Sequence, residues 1–155
     1  MKPRFRDFVS STPNRTFILL PMVVAAFELA LRGSALQLHP AGLVVMLWGY
    51  LQYRLAGRYR KRRGGGGPGI ANPPARLVTE GPYGWCRNPM YLGHLIFLAG
   101  LAYCLSSWLG AAILVFHLVW FDRRVRGDET HMQRLFGDAY AGYKSRVKRW
   151  VPGVY

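Results

Sequence analysis

Four apolar runs set the rhythm of this chain, at residues 17–31, 41–56, 89–105 and 107–121, with the charged residues lying almost wholly between them. Each run is slightly short of the ~20 residues that a spanning helix needs. Aromatic and glycine residues at their ends extend them, so the pattern predicts four membrane-spanning helices. The first two runs, joined by a short turn with Gly33 and Pro40, predict a plain helical hairpin over 1–56. Residues 57–74 then read as a basic linker rich in glycine and proline, carrying Gly64-Gly-Gly-Gly67, Pro68 and Pro73-Pro74. This composition is that of a flexible connection. No strand precedes the glycines and no Gly-Lys-Ser/Thr follows them, so they do not form a phosphate loop.

The second half, 75–155, differs in kind. Glu80-Gly-Pro-Tyr-Gly-Trp-Cys-Arg-Asn-Pro-Met-Tyr-Leu-Gly93 runs straight into the third apolar stretch. Irregular backbone is tolerated at membrane depth only where protein or a polar cavity satisfies it. The segment therefore predicts the wall of a site at the membrane surface. Beyond Phe121 follows a charged helical stretch broken at Phe136-Gly137. Tyr140, Tyr143, Val147 and Trp150 then recur at intervals of three, four and three, one face of a helix. Such a helix lies on headgroups with its aromatics inward, or folds back over whatever the Gly81–Gly93 segment encloses.

Composition sharpens this picture. A hydrophobic content of 51% beside a net charge of +14 in 155 residues suits one membrane domain whose charges are segregated. Basic residues are dense before Phe17, sparse around 32–40, dense over 54–87, absent at Ser106-Ser107 and dense after Phe121. The positive-inside rule then places both termini in the cytoplasm. The membrane is the inner or plasma membrane of a bacterium, or the endoplasmic reticulum of a eukaryote. The cations flank apolar runs instead of lining one soluble face, which argues against nucleic acid and for anionic lipid headgroups. No small-residue cleavage site follows the first run, so it reads as a retained span.

The chemistry on offer is limited. His39, His94, His117 and His131 show no metal-ligand spacing, so no metal is expected. His94 and His117, inside apolar runs, read as hydrogen-bonded structural residues. Cys86 and Cys104 form no disulfide framework, and Cys86 reads as a packed thiol. Glu28, an acid in an apolar run, is a functional candidate by default. Its plainer reading is an ion pair with Arg32 one turn on. No Gly-x-Ser-x-Gly elbow exists. What remains is a cluster in which Asp122, Asp128 and Glu129 alternate with Arg123, Arg124 and Arg126. Carboxylates there suit a ribose or an amine, and an arginine suits an anionic substrate. Interfacial salt bridges are the alternative.

The order Leu77-Val78-Thr79, Gly81-x-Tyr83, Arg87-Asn88-Pro89-x-Tyr91-x-Gly93, then Asp128-Glu129, Phe136-Gly137, Tyr140, Tyr143, Arg146-Val147 and Pro152 resembles the isoprenylcysteine carboxyl methyltransferase family. It is also similar to phospholipid methyltransferases. The resemblance spans residues 75–152 and implies an all-α, polytopic membrane enzyme with its cofactor pocket at the cytoplasmic face. The implied cofactor is S-adenosyl-L-methionine, with a lipid-like or small hydrophobic methyl acceptor. By position in the motif, Ala75, Arg76, Leu77, Val78, Gly81 and Tyr83 are implied to surround the cofactor. Arg87, Asn88, Pro89, Met90, Tyr91 and Gly93 continue that wall, and Asp128 with Glu129 holds the cofactor. Arg124 is implied as the catalytic-site residue that orients the acceptor. Two departures stand out: Asn88 replaces a frequent histidine, and Asp128-Glu129 replaces a Glu-Glu pair. Membrane sterol reductases, which use a nicotinamide cofactor, share part of the C-terminal pattern but are far longer. A non-catalytic membrane subunit is the remaining alternative.

Overall fold

The computed structural model describes residues 5–66 and 74–150, with side chains from residue 8 onward except at Ser34. Pro152 of the motif, and Gly67, Pro68 and Pro73 of the expected linker, lie outside the described residues. Among the described residues every regular element is helical. After α1 (Phe5–Ser10) come α2 (Thr12–Arg32) and α3 (Pro40–Gly64). The short α4 (Pro82–Trp85), α5 (Pro89–Cys104) and the long α6 (Trp108–Arg146) follow.

Two elements depart from the expected limits. Helix α3 does not stop at Ala56 but continues through Arg58–Arg63 to Gly64. Arginine, lysine and tyrosine carry no penalty that would end a helix, and Lys61, Arg62 and Arg63 in the last turn suit its negative end. Helix α6 likewise passes Phe121 without a break. It kinks at Gly137 (φ 50°, ψ −127°), where the sequence predicted an interruption, and ends at Arg146. The expected helical face therefore stops short of Trp150. Helix α2 contains a π-helical turn over Arg15–Leu19.

One helix among the described residues, Thr12–Arg32, is long and apolar enough by length and composition to cross a membrane, and Pro89–Cys104 is a shorter apolar helix.

The chain packs as two compact units, residues 1–50 with 93–117 and residues 51–92 with 118–155. The first has a core of Val24, Leu98, Leu101 and Leu105. Its helices approach backbone to backbone. A Cβ on Gly42 would fall 2.5 Å from Cys104, one on Gly49 2.5 Å from the Phe97 nitrogen, and one on Gly100 2.6 Å from the Met46 nitrogen. Large apolar side chains such as Leu43, Val44, Leu47 and Trp48 point outward. Glu28 is fully buried and pairs with Arg32 at 2.9 Å, as its spacing suggests. His94 stacks on Phe17 at 4.6 Å, and His117 Nδ1 lies 2.8 Å from the Ile113 carbonyl. Both are packed residues of this unit.

In the second unit α6 buries Phe121, Val125 and Glu129, one residue per turn along a single face. Tyr83, Cys86, Tyr140 and Tyr143 complete its interior.

Candidate functional site

The Glu80–Leu92 segment is fixed in the second unit by backbone geometry that its sequence demands. Gly81 sits at φ 57°, and a Cβ there would lie 2.7 Å from the Tyr59 ring. Only glycine meets both conditions without strain. Pro82 then opens α4, a first-turn position that proline suits. The Tyr143 hydroxyl donates to the Tyr83 carbonyl at 2.6 Å and ties this short helix to the end of α6. Upstream, the Ala75 and Arg76 amides both donate to the Gly64 carbonyl, at 2.8 and 3.2 Å. The end of α3 thereby holds the 74–78 strand of chain. Gln52 Nε2 donates to the Pro89 carbonyl at 3.2 Å where α5 begins.

Arg87, Asn88 and Cys86 turn toward the residues that follow α6. The Arg87 amide donates to the Lys148 carbonyl at 2.9 Å, and Asn88 Nδ2 to the Arg149 carbonyl at 3.3 Å. Cys86 Sγ donates to that same carbonyl at 3.3 Å. Burial pushes the Cys86 thiol above its usual value, which fits an inert packed residue rather than a nucleophile. The Arg87 guanidinium also donates to the Lys144 carbonyl at 3.1 Å and to the Val147 carbonyl. So the C-terminal stretch does fold back onto the motif, although it does so as a strap rather than as a helix.

At the centre lies Glu129. Arg87 reaches its Oε1 at 2.8 Å, and Arg149 reaches its Oε2 at 2.9 Å. Lys144 stands 4.0 Å away. Burial raises the Glu129 pKa, but the bonds and charges of Arg149 and Arg87 outweigh it and hold the carboxyl below 4.5. Arg149 extends the network to Asp122 at 3.2 Å, where Arg126 and the Trp150 indole also donate. Asp122 is lowered in turn: its burial opposes the shift, and Trp150 and Arg126 drive it. Both oxygens of Glu129 are therefore committed inside the protein.

Asp128, its neighbour, behaves differently. Its Oδ2 accepts from the Tyr91 hydroxyl at 3.0 Å, and that hydroxyl accepts in turn from Arg124 Nε at 2.9 Å. Tyr91 packs on Phe121 with ring centroids 4.9 Å apart, and Arg124 lies 5.8 Å over the Trp120 ring. Yet Asp128 Oδ1 is buried and has no hydrogen-bond partner. Burial holds its carboxyl above the ordinary 3.8 against the opposing pull of Tyr91, Arg124, Arg60 and His131. The Tyr83 hydroxyl is also buried without a partner, and burial keeps it protonated well above 10. Buried polar groups normally find partners, and these two atoms of the second unit have none.

The structure thus brings Tyr91, Arg124 and Asp128 into one hydrogen-bonded chain and sets Arg87 with Glu129 in another. Arg76 and Val78 pack at Gly64, Ala75 at Gly65, and Met90 at Gly57. Leu77 lies in the same 74–78 stretch. Gly93 belongs to the first unit, where its carbonyl lies 2.6 Å from where a Cβ on Gly49 would stand. Sequence reasoning gave no role to Arg149, and it took Arg60 with Tyr59 for linker. The signal for the latter was present: Gly49, Ala56 and Gly64 mark an inward stripe on α3, with Arg60 one turn after Ala56.

Known proteins agree with the motif. The family model described as phospholipid methyltransferase matches residues 33–139. Protein-S-isoprenylcysteine O-methyltransferase of Schizosaccharomyces pombe is 33% identical over 79 residues, covering 49% of this chain and 33% of that protein. Protein-S-isoprenylcysteine O-methyltransferase B of Arabidopsis thaliana is 37% identical over 81 residues, covering 51% and 41%. The matched part thus spans well under half of these relatives. A solved eukaryotic intramembrane Ras methyltransferase, isoprenylcysteine carboxyl methyltransferase, shares the fold with a TM-score of 0.68 at 22% identity, over 96% of this chain and 55% of that one. The chain belongs to the phospholipid methyltransferase family and is isoprenylcysteine carboxyl methyltransferase-like.

Proposed function

We infer that this protein transfers a methyl group from S-adenosyl-L-methionine to a lipid-like or small hydrophobic acceptor at the cytoplasmic face of a membrane. The observation that carries the reading is Asp128. A family acid sits buried with one oxygen fixed by Tyr91 and the other left without a partner. An acceptor held ready in this way suits the polar groups of such a cofactor. When bound, the cofactor's sulfonium supplies an electrophilic methyl group and a neutral thioether leaving group. The protein's task is then positioning and exclusion of water. Tyr91 orients Asp128, and Arg124 fixes the Tyr91 hydroxyl while keeping its terminal nitrogens for an anionic acceptor group. Tyr91, backed by buried Phe121, offers aromatic surface beside them. Glu129, with both oxygens paired, holds Arg87 and Arg149 in place and acts as a positioning residue.

In this reading α2, the first part of α3, α5 and the first part of α6 span the bilayer, with both termini on the cytoplasmic side. The alternation of basic connections supports that orientation, and the outward apolar side chains support contact with lipid. The relatives are named for O-methylation of a protein S-isoprenylcysteine, which supports a lipid-modified acceptor.

Asp128→Ala is expected to abolish binding of S-adenosyl-L-methionine while the protein still folds and expresses. Calorimetric titration of the purified protein checks this. Undiminished affinity in the variant, or a response of the native protein to NADPH instead, overturns the assignment. Incubating membranes with labelled methyl donor and weighing the products identifies the acceptor.

A further inference from the structure

Glu28 and Arg32 hold chemistry that the methyl-transfer reading leaves unused. Residues 8–50 and 93–117 make up most of the first unit and contain one acid, Glu28, and two strong bases, Arg15 and Arg32. Glu28 is fully buried, and its Oε2 takes Arg32 Nε at 2.9 Å. Arg32 Nη2 donates to the Ser106 carbonyl at 2.8 Å, in the α5–α6 turn, where Ser106 holds a left-handed φ of 44°. Two of the three guanidinium nitrogens are thus fixed, and Nη1 is left uncommitted among the described residues. The Arg32 side chain is 34% exposed, so this nitrogen is within reach from outside. Arg32 is also the last residue of α2, the helix long and apolar enough to cross a membrane. Leu29 and Leu31 beside it are exposed. Trp108, exposed two residues beyond Ser106, meets Phe27 of α2 edge to face at 5.3 Å. Tryptophan takes the headgroup level of a bilayer, and arginine reaches for it.

We propose that Arg32, with Trp108 near it, forms a site for the phosphate of a bilayer phospholipid at the non-cytoplasmic surface, Nη1 donating to a phosphate oxygen while the acyl chains lie on Leu29 and Leu31. The proposal rests on the membrane reading of the first unit and not on the chemistry of the second. The buried acid does not compete with the phosphate. Glu28 takes Nε from the inside, and a guanidinium has five N–H donors to share between two acids. What Glu28 contributes is aim. A guanidinium already locked by a carboxylate and a carbonyl loses little freedom on meeting a second anion, and that anion gains a charge-assisted bond. Nor does another acid stand by to repel it, since Glu28 is the one Asp or Glu in residues 8–50 and 93–117. Free phosphate satisfies the arginine but leaves the exposed leucines in water. A phospholipid joins the anion to apolar chains and uses both.

The test places the purified full chain in phosphatidylcholine nanodiscs with a trace of phosphatidylcholine that carries a photoreactive diazirine near the glycerol end of one chain. A diacylglycerol with the same diazirine lacks the phosphate and serves as the control. After illumination, peptide mass analysis locates the adducts. The phosphatidylcholine probe is expected to label residues 27–36 and 103–108 about fivefold more than the diacylglycerol probe, the worth of one arginine at a lipid surface. Arg32→Gln is expected to remove that excess while labelling along α3 stays unchanged. Equal labelling by the two probes in the native protein overturns the site, whatever Arg32→Gln does to folding, and so does an excess that survives Arg32→Gln. Competition by a large excess of inorganic phosphate also overturns it, since the site then takes the free anion. Absence of adducts on the outward leucines of α3 overturns the membrane reading beneath the proposal.

Discussion

In the first unit the buried contacts are glycines: Gly42, Gly49 and Gly100 let helix backbones touch over a core of valine and leucine. In the second unit the buried centre is an acid, Glu129, with Arg87 and Arg149 on either side. The contrast follows from what each has to do. Lipid gives apolar helices no hydrophobic reason to associate, so close van der Waals packing through small residues does the work. In the second unit, where we propose the site, charges held by other charges aim polar groups in fixed directions. The exception in the first unit, Glu28 with Arg32, is a pair within one helix and orders no second element through its carboxylate.

The contrast breaks first at Glu129. A buried ion pair adds little net stability, yet removing one partner strands the other charge at a cost of about 3–5 kcal/mol. Glu129→Gln strands two arginines and is expected to reach that range, loosening the strap at Val147–Trp150. Thermal unfolding in detergent measures the loss, and limited proteolysis at the C-terminus measures the loosening. The pH dependence has a definite sign. The folded pKa of Glu129 lies below its ordinary 4.5, so its stabilising share is present above about pH 4.5 and lost as pH falls through the depressed value. In Glu129→Gln that acid-side decline becomes shallower. An unchanged acid slope removes Glu129 as the keystone of the second unit.

Next in size is Gly49→Ala. A Cβ there meets the Phe97 nitrogen at 2.5 Å and the Gly93 carbonyl at 2.6 Å, both backbone atoms that cannot swing aside. Overpacking of this kind costs about 1–3 kcal/mol, and the upper end is expected. Gly142→Ala, where a Cβ meets nothing within 4 Å, serves as the control and is neutral or slightly stabilising through helix propensity. Equal unfolding midpoints for the two variants, measured in the same detergent, end the claim that glycines hold the first unit.

How legible all this was in the sequence depends on the kind of force. Apolar runs foretold the helices, since burial and composition travel together, and the break at Gly137 was visible because glycine takes a backbone angle that other residues resist. The motif named both Tyr91 and Asp128, and the structure joins them at 3.0 Å. The end of α3 was misread because five cations and a run of four glycines look like linker by composition, whereas a helix tolerates the cations. Arg149 was missed because a cation beside other cations looks solvated until the acid it meets, twenty residues back at Glu129, is known. Nor could sequence say which acid of Asp128-Glu129 is free. One position on α6 turns Glu129 inward to arginine and leaves Asp128 with an open oxygen.

The smallest effect sharpens the comparison within a single carboxylate. Asp122 receives two arginines: Arg126 from one turn away, whose side chain is 62% exposed, and Arg149 from the strap, at 16%. Water screens the first, so Arg126→Ala is expected to cost about 0.5 kcal/mol or less, despite the shorter 2.8 Å contact. Arg149→Ala, which also abandons buried Glu129, should cost several times more. The two variants differ by one cation and share one acceptor, so their unfolding midpoints separate burial from charge. If they fall together, proximity alone governs the second unit. If Arg149 dominates, the network is held by what it keeps from water, and Asp122 serves mainly to seat the strap that carries Arg149 and Trp150.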